Sequence, residues 1–175
     1  INGIKNLSGE EDFNQVFFDD VFIPDDRVVG EPGNGWAQVI SELGYERSGP
    51  ERFLSAFRVL VEYSRELTSD ASDDQLSVLG RLVAHLITLR RMSISVAGML
   101  ENGETPITEA ALIKDVGNAY ERLVPEVVRL SQTRNPSARF LETLNQCVLH
   151  APSFTLRGGT REILKGVIAR GLGLR

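Results

Sequence analysis

The stretch WAQVISELGYERSGPERFLSAFRVLV, Trp36 to Val61, decides how the rest of the chain reads. Trp36, Val39, Ile40, Leu43, Phe53, Leu54, Phe57, Leu60 and Val61 recur at steps of three and four. At about 100° per residue they fall on one helical stripe, which predicts a helix facing a core. Glu46 and Arg47 stand at the edges of that stripe rather than opposite it. Pro50 follows within a turn; it lacks a backbone donor and crowds the preceding carbonyl, so a kink with backbone groups left free near Glu46 is expected. Two readings of Glu46 and Arg47 stay open on these residues alone: a half-solvated ion pair at a helix edge, or a site.

Upstream, the punctuation Asn2-Gly3, Ser8-Gly9 and Pro24-Asp25 surrounds Phe13 to Ile23, a segment rich in Phe, Val and Ile. One or two strands fit it. An isolated hairpin is marginal in water, so these strands are expected to belong to a sheet whose other strands lie further upstream. The chain opens on Ile1 in mid-pattern and reads as a piece of something longer. The loop Gly30-Glu31-Pro32-Gly33-Asn34-Gly35 then signals a helix start, with Asn34 or Gly35 as cap.

Downstream, a polar break from Thr68 to Asp74 precedes a second helix capped by Asp73 or Asp74. Its apolar face is expected at Leu76, Leu79, Leu82, Val83, Leu86, Ile87, Ile94 and Leu100, with His85 just off the stripe as a packing or surface residue. Thr105-Pro106 opens a third helix, with Thr105 as cap and Pro125 as a bend; Ala110, Ile113, Val116, Tyr120, Leu123, Val127 and Leu130 face inward. Phe140, Leu141, Leu144 and Val148 mark a fourth, shorter helix. The predicted fold is all-α: an antiparallel four-helix bundle, neighbours crossing at roughly 20°, preceded by a short β-segment. Residues 1–30 form the β remnant and residues 31–175 the bundle.

The chain has 175 residues, a net charge of −5 and a pI near 5.1. No run of Lys and Arg offers a field for a polyphosphate backbone, so nucleic acid is not expected as a partner. Cys147 is the single cysteine; it forms no internal disulfide, reads as an inert buried thiol, and with no signal-peptide pattern suggests a cytoplasmic protein. No apolar run approaches the roughly 20 residues of a membrane span. No His or Cys cluster has metal-ligand spacing, and no P-loop, GxGxxG or Ser-His-Asp pattern occurs. One further place carries chemistry. Gly158 and Gly159 free the backbone ahead of a last helix opened by Thr160, where bare amides suit an anion, although Glu162 sets a negative charge in the first turn. A plain capped helix start fits the same residues.

Four segments taken together resemble the acyl-CoA dehydrogenase family: Phe18-Asp19-Asp20-Val21-Phe22-Ile23-Pro24, Gly33-Asn34-Gly35-Trp36, Tyr45-Glu46-Arg47, and Gly158-Gly159-Thr160-Arg161-Glu162-Ile163. The resemblance covers the whole chain and implies that residues 1–30 end a middle β-domain, the rest being the C-terminal helical domain. It implies a flavin enzyme that removes the α-proton and β-hydride of an acyl-CoA thioester, with a glutamate as base and FAD as hydride acceptor. In many members that glutamate lies just before Gly-Thr in the tail, at the position of Gly158 here; in others it lies on the first bundle helix before an arginine, which matches Glu46 and Arg47. The resemblance therefore makes Glu46 the base, at a stripe margin where desolvation would raise its pKa, and puts Arg47 at the substrate, orienting its neighbours. It makes Gly159, Thr160 and Glu162 FAD contacts, and implies a homo- or hetero-oligomer, dimer or tetramer, with an electron-transfer partner. Two flavin-contacting stretches of the family have no counterpart: Thr68 to Gln75 lacks the Arg-x-x-Phe-Gly pattern, and Gln146 to Pro152 lacks Gln-x-x-Gly-Gly. The alternative function is thus a catalytically silent subunit of a mixed oligomer, and a third, a stand-alone helical interaction domain, leaves the Gly-Gly-Thr turn without a purpose.

Overall fold

The computed structural model describes residues 1–174. Among them the chain forms two short strands, six α-helices and three stretches of 3₁₀ helix. It divides into two compact units, Ile1–Glu42 and the remainder from Leu43 onward. Helix α1, Gly35–Ser48, runs across the division.

In the first unit, β1 (Asn2–Ile4) pairs antiparallel with β2 (Phe13–Gln15), Asn2 opposite Gln15 and Ile4 opposite Phe13. Asn6 shapes the connection: its side-chain carbonyl accepts from the amides of Ser8 at 2.9 Å and Glu10 at 3.2 Å, an Asx-type turn. The strand expected over Phe13 to Ile23 shrinks to three residues. Strand backbone needs a neighbour to take its hydrogen bonds, and β1 reaches no further. Phe17, Phe18, Val21, Phe22 and Ile23 follow without regular structure, and all are exposed.

The single kinked helix expected from Trp36 to Val61 is two helices. Pro50 breaks it outright: Gly49 before it is extended (φ −66°, ψ 154°), as a residue preceding proline prefers, and Pro50–Arg52 form a 3₁₀ turn. The chain resumes as α2, Phe57–Glu66. Of the expected stripe only Phe53 and Leu60 are core; Leu54 and Phe57 are exposed, and the inner face of α2 falls instead on neighbouring positions. Phe53, Ala56, Val59, Leu60 and Tyr63 are buried, whereas Trp36, Val39 and Ile40 are exposed.

Helices α3 (Asp73–Glu101), α4 (Ile107–Leu130), α5 (Ala138–His150) and α6 (Arg161–Gly171) complete the second unit. Ser72, not Asp73 or Asp74, caps α3, in a reciprocal capping box with Gln75. Helix α4 begins one residue after Pro106 with no side-chain cap, so Thr105 does not serve as one, and it continues through Pro125. Ser137 caps α5 through the Phe140 amide, 3.2 Å away.

The packing centres on α4, which contacts α2, α3, α5 and α6. The expectation of a four-helix bundle is met only as a mainly helical unit, because the first helix is divided and α6 adds a further layer on α4. Val78, Leu82, Leu89 and Val96 from α3, Ile113, Tyr120, Val124 and Val128 from α4, and Phe140 and Leu144 from α5 meet α2 in one core. Burying each large apolar side chain stabilises by about 1.5–3 kcal/mol. The Tyr63 hydroxyl ties the layers by donating to the Ser131 carbonyl at 3.2 Å, to which Gln75 also donates at 3.1 Å. No helix among the described residues is long and apolar enough to cross a membrane.

Candidate active site

Glu46 and Arg47 lie in the last turn of α1, whose end is fixed from α3: the Ser93 hydroxyl donates to the Ser48 carbonyl at 2.6 Å. Because Pro50 turns the chain back, Arg52 returns to the same turn of α1. Its Nε donates to the Glu46 carbonyl at 3.0 Å, and its Nη2 forms an ion pair with Glu46 Oε1. The Arg52 side chain is 11% exposed and that of Glu46 27%. The desolvated carboxylate expected at position 46 is thus realised as a partly open one held by a guanidinium.

Arg47 points into the protein. It is buried, and its Nε donates to the Gly158 carbonyl at 2.8 Å, joining α1 to the tail. Burial pulls its guanidinium below the ordinary arginine value, with the Glu46 carboxylate opposing that shift. Gly158 and Gly159 take φ of +65° and +105°, a left-handed region where glycine carries no Cβ penalty. A Cβ built on Gly158 would stand 3.5 Å from Glu46 Oε1, 3.6 Å from Arg47 Cγ and 3.7 Å from Lys114 Cε. A Cβ on Gly159 would lie 3.5 Å from Arg47 Nη2. The two positions that the family resemblance offers for a base, 46 and 158, are therefore side by side in space.

Thr160 occupies the cap position of α6, but its side chain makes no hydrogen bond to the helix's first amides. Its hydroxyl instead turns to Glu162, whose own backbone N–H and that hydroxyl hold its carboxyl below the usual carboxylate range. Arg161 anchors this turn to α4 through a two-pronged pair with Asp115, at 2.7 and 3.3 Å. Gly159, Thr160 and Glu162 thus form one open turn, linked to Glu46 by Arg47 and Gly158.

Beneath the site lies a group of residues that the apolar pattern of α4 concealed. Lys114, Asn118 and Glu121 are all completely buried. Glu121 accepts from the Ser55 amide at 2.8 Å and from Arg157 Nη2 at 3.2 Å, while the same Arg157 nitrogen also lies 2.8 Å from Ser55 Oγ. The Arg157 guanidinium sits 5.3 Å from the centre of the Phe154 ring. Lys114 Nζ donates to Asn118 Oδ1 and, at 3.2 Å, to the Phe154 carbonyl. Burial lowers the Lys114 amine to about 8, with Glu121 and Glu46 drawing it up and Arg157 and Arg52 pushing it further down. The sequence signal was there: Lys114, Gly117, Asn118 and Glu121 stand at steps of three and four from Ala110 and Ile113, so they share the inward phase.

No family model matches the chain. Among curated proteins it is similar to acyl-CoA dehydrogenase FadE34 of Mycobacterium tuberculosis, 28% identical over an alignment of 177 positions that covers 98% of this chain and 24% of that protein. It is also similar to acyl-CoA dehydrogenase IpdE1 of the same organism, 30% identical over an alignment of 189 positions that covers 99% of this chain and 47% of IpdE1. The IpdE1 of Mycolicibacterium smegmatis is 28% identical over an alignment of 186 positions that covers 99% of this chain and 45% of that protein. The chain spans a quarter of the first relative's length and just under half of the other two.

Proposed function

The chain is homologous over nearly its whole length to acyl-CoA dehydrogenases, and on that premise we propose that it is the C-terminal part of a flavin-dependent acyl-CoA dehydrogenase in which Glu46 is the catalytic base. Residues 1–30 are then the end of the middle β-domain and residues 31–175 the helical domain. The observation that carries the reading is the adjacency of Glu46 to Gly158: a base on either element would reach the same space, and only Glu46 bears a carboxylate. Glu46 takes the α-proton of the thioester, breaking the C–H bond and forming an O–H bond on its carboxylate. A bound FAD supplies the acceptor for the β-hydride.

Support for a flavin contact at Gly159, Thr160 and Glu162 comes from the turn itself, two glycines without Cβ followed by a helix whose cap residue, Thr160, leaves the first amides uncapped. Glu162 disfavours a phosphate there, so this turn suits an uncharged polar edge of the cofactor. Arg47 serves the substrate side by fixing the Gly158 carbonyl and so holding the tail against Glu46. An acyl-CoA substrate, an oligomer of like subunits and an electron-accepting partner belong to this proposal.

Glu46→Gln in the full-length flavoprotein tests it. The amide is close in shape and cannot accept the proton, so anaerobic bleaching of the flavin by acyl-CoA should slow by roughly 100-fold or more with fold and flavin content kept. Undiminished bleaching refutes the assignment. A second reading, a catalytically silent partner subunit, is favoured by one feature: Arg52 occupies the Glu46 carboxylate. It requires that the wild-type protein fail to bleach even when it carries flavin.

A further inference from the structure

Arg52 bonds Glu46 twice, and both contacts have a cause in the sequence. In an uninterrupted helix the Glu46 carbonyl would accept from the amide four residues on, but that residue is Pro50, which has no N–H. The carbonyl is therefore left open at the end of α1, and Arg52 Nε fills it at 3.0 Å. The same guanidinium then reaches the side chain, where Nη2 pairs with Oε1. Arg52 itself has little freedom: its carbonyl would stand 2.7 Å from a Cβ on Gly117, so its backbone is seated directly on α4. A planar guanidinium held through two nitrogens fixes both where the carboxylate stands and how it is turned. Oε1 is thereby committed, whereas among the described residues no donor bonds Oε2, and the Glu46 side chain stays partly open.

We propose that Arg52 is a positioning residue for the base: it pins Oε1 of Glu46 and so presents Oε2 as the atom that takes the α-proton. The inference rests on the reading of Glu46 as the base. It gives the ion pair a role opposite to a block, since only one of the two carboxylate oxygens is engaged. The proton forms an O–H bond on Oε2 as the C–H bond breaks, with the C–H electron pair staying on the substrate. Oε1 continues to accept from Arg52 as the carbonyl oxygen of the acid so formed, and the guanidinium keeps its charge throughout.

The test is anaerobic flavin bleaching by acyl-CoA in the full-length flavoprotein, with the limiting rate and the half-saturating substrate concentration read separately. Arg52→Met should lower the limiting rate by about 10- to 100-fold, the scale of a misoriented reacting group. Half-saturation should stay as it is, because Arg52 bonds Glu46 and not the substrate. Arg52→Lys keeps the charge, but one amine cannot hold the carbonyl and the carboxylate in a fixed plane, so it should slow the step by a smaller factor; it carries the test if Arg52→Met fails to fold. Placed in Glu46→Gln, either substitution should change the residual rate by less than about twofold, since a residue that acts through the carboxylate loses its effect with it, whereas a merely structural role slows both backgrounds alike. Arg52→Met, or Arg52→Lys where only that variant folds, bleaching at or above the wild-type rate overturns the role of Arg52. So does an equal loss in the Glu46→Gln background; either result leaves Glu46 as base, provided Glu46→Gln alone is slow. Bleaching by Glu46→Gln at the wild-type rate, or a flavin-loaded wild type that does not bleach, overturns both.

Discussion

Gly117→Ala should destabilise the protein, against the usual rule for helices. Alanine in a helix interior is ordinarily about 1 kcal/mol better than glycine, because it loses less backbone entropy. Gly117, however, is buried in α4 against the turn that carries Arg52. A Cβ there would stand 2.7 Å from the Arg52 carbonyl oxygen and 3.2 Å from Phe53 Cβ. The first distance is well inside van der Waals contact, and the opposing atom is backbone of a 3₁₀ turn that cannot rotate aside. Either α4 or the turn must shift, and overpacking of this kind costs about 1–3 kcal/mol. Set against the propensity gain, the net loss is up to about 2 kcal/mol. Gly80→Ala and Gly98→Ala on α3 are the controls: nothing lies within 4 Å of either Cβ position, so both should leave stability unchanged or raise it by up to about 1 kcal/mol. Guanidinium denaturation of the four proteins reads the difference. A Gly117→Ala variant as stable as its Gly98→Ala counterpart would refute the close approach of α4 to the Arg52 turn, and with it the geometry that returns Arg52 to Glu46.

The buried lysine makes stability rise with pH. The folded-state value of about 8 lies below the ordinary 10.5, so below pH 8 both states are protonated and the fold bears a buried charge. Above it the folded state releases its proton while the unfolded chain keeps one, and the wild type should therefore gain roughly 2–3 kcal/mol on Lys114→Met between pH 7 and 10; a constant gap counts against it. Cys147 should resist thiol reagents: burial, with Glu121 adding to it, pushes the thiol up to about 11. At pH 8 its labelling in the native protein should be about 100-fold slower than in denaturant, and fast native labelling would place the thiol at the surface.

Much of the local structure is legible in the residues. Helices form after residue 57 where the apolar period expects them, although Leu123, Leu130, Leu141 and Val148, expected inside, are exposed; Ser137 and Pro50 mark boundaries through capping and a missing donor, and Glu46 stands out as a carboxylate where the period calls for an apolar residue. Local chemistry sets these features, since a cap or a proline break depends on neighbours within one turn. The choice of face on α3 is of another kind. Leu76, Val83, Ile87 and Ile94 were expected inside and are exposed, while Val78, Leu89 and Val96 are buried with Leu82. Two apolar stripes lie on that helix, and periodicity does not say which one α4 covers. On α4 the same limit hid Lys114, Asn118 and Glu121, which are polar by type yet buried, because their partners are on remote segments: Ser55 lies 66 residues before Glu121, and the Phe154 carbonyl 40 residues after Lys114. The site has the same origin. Arg47 and Gly158 are 111 residues apart along the chain, and their hydrogen bond exists only because α6 and its approach pack onto α4 while Pro50 turns Arg52 back on α1. Sequence alone determined which residues carry charge and where Pro50 breaks a helix. Only tertiary packing decided which charges lose their water and face one another, because desolvation and Coulomb attraction depend on separation in space and not along the chain.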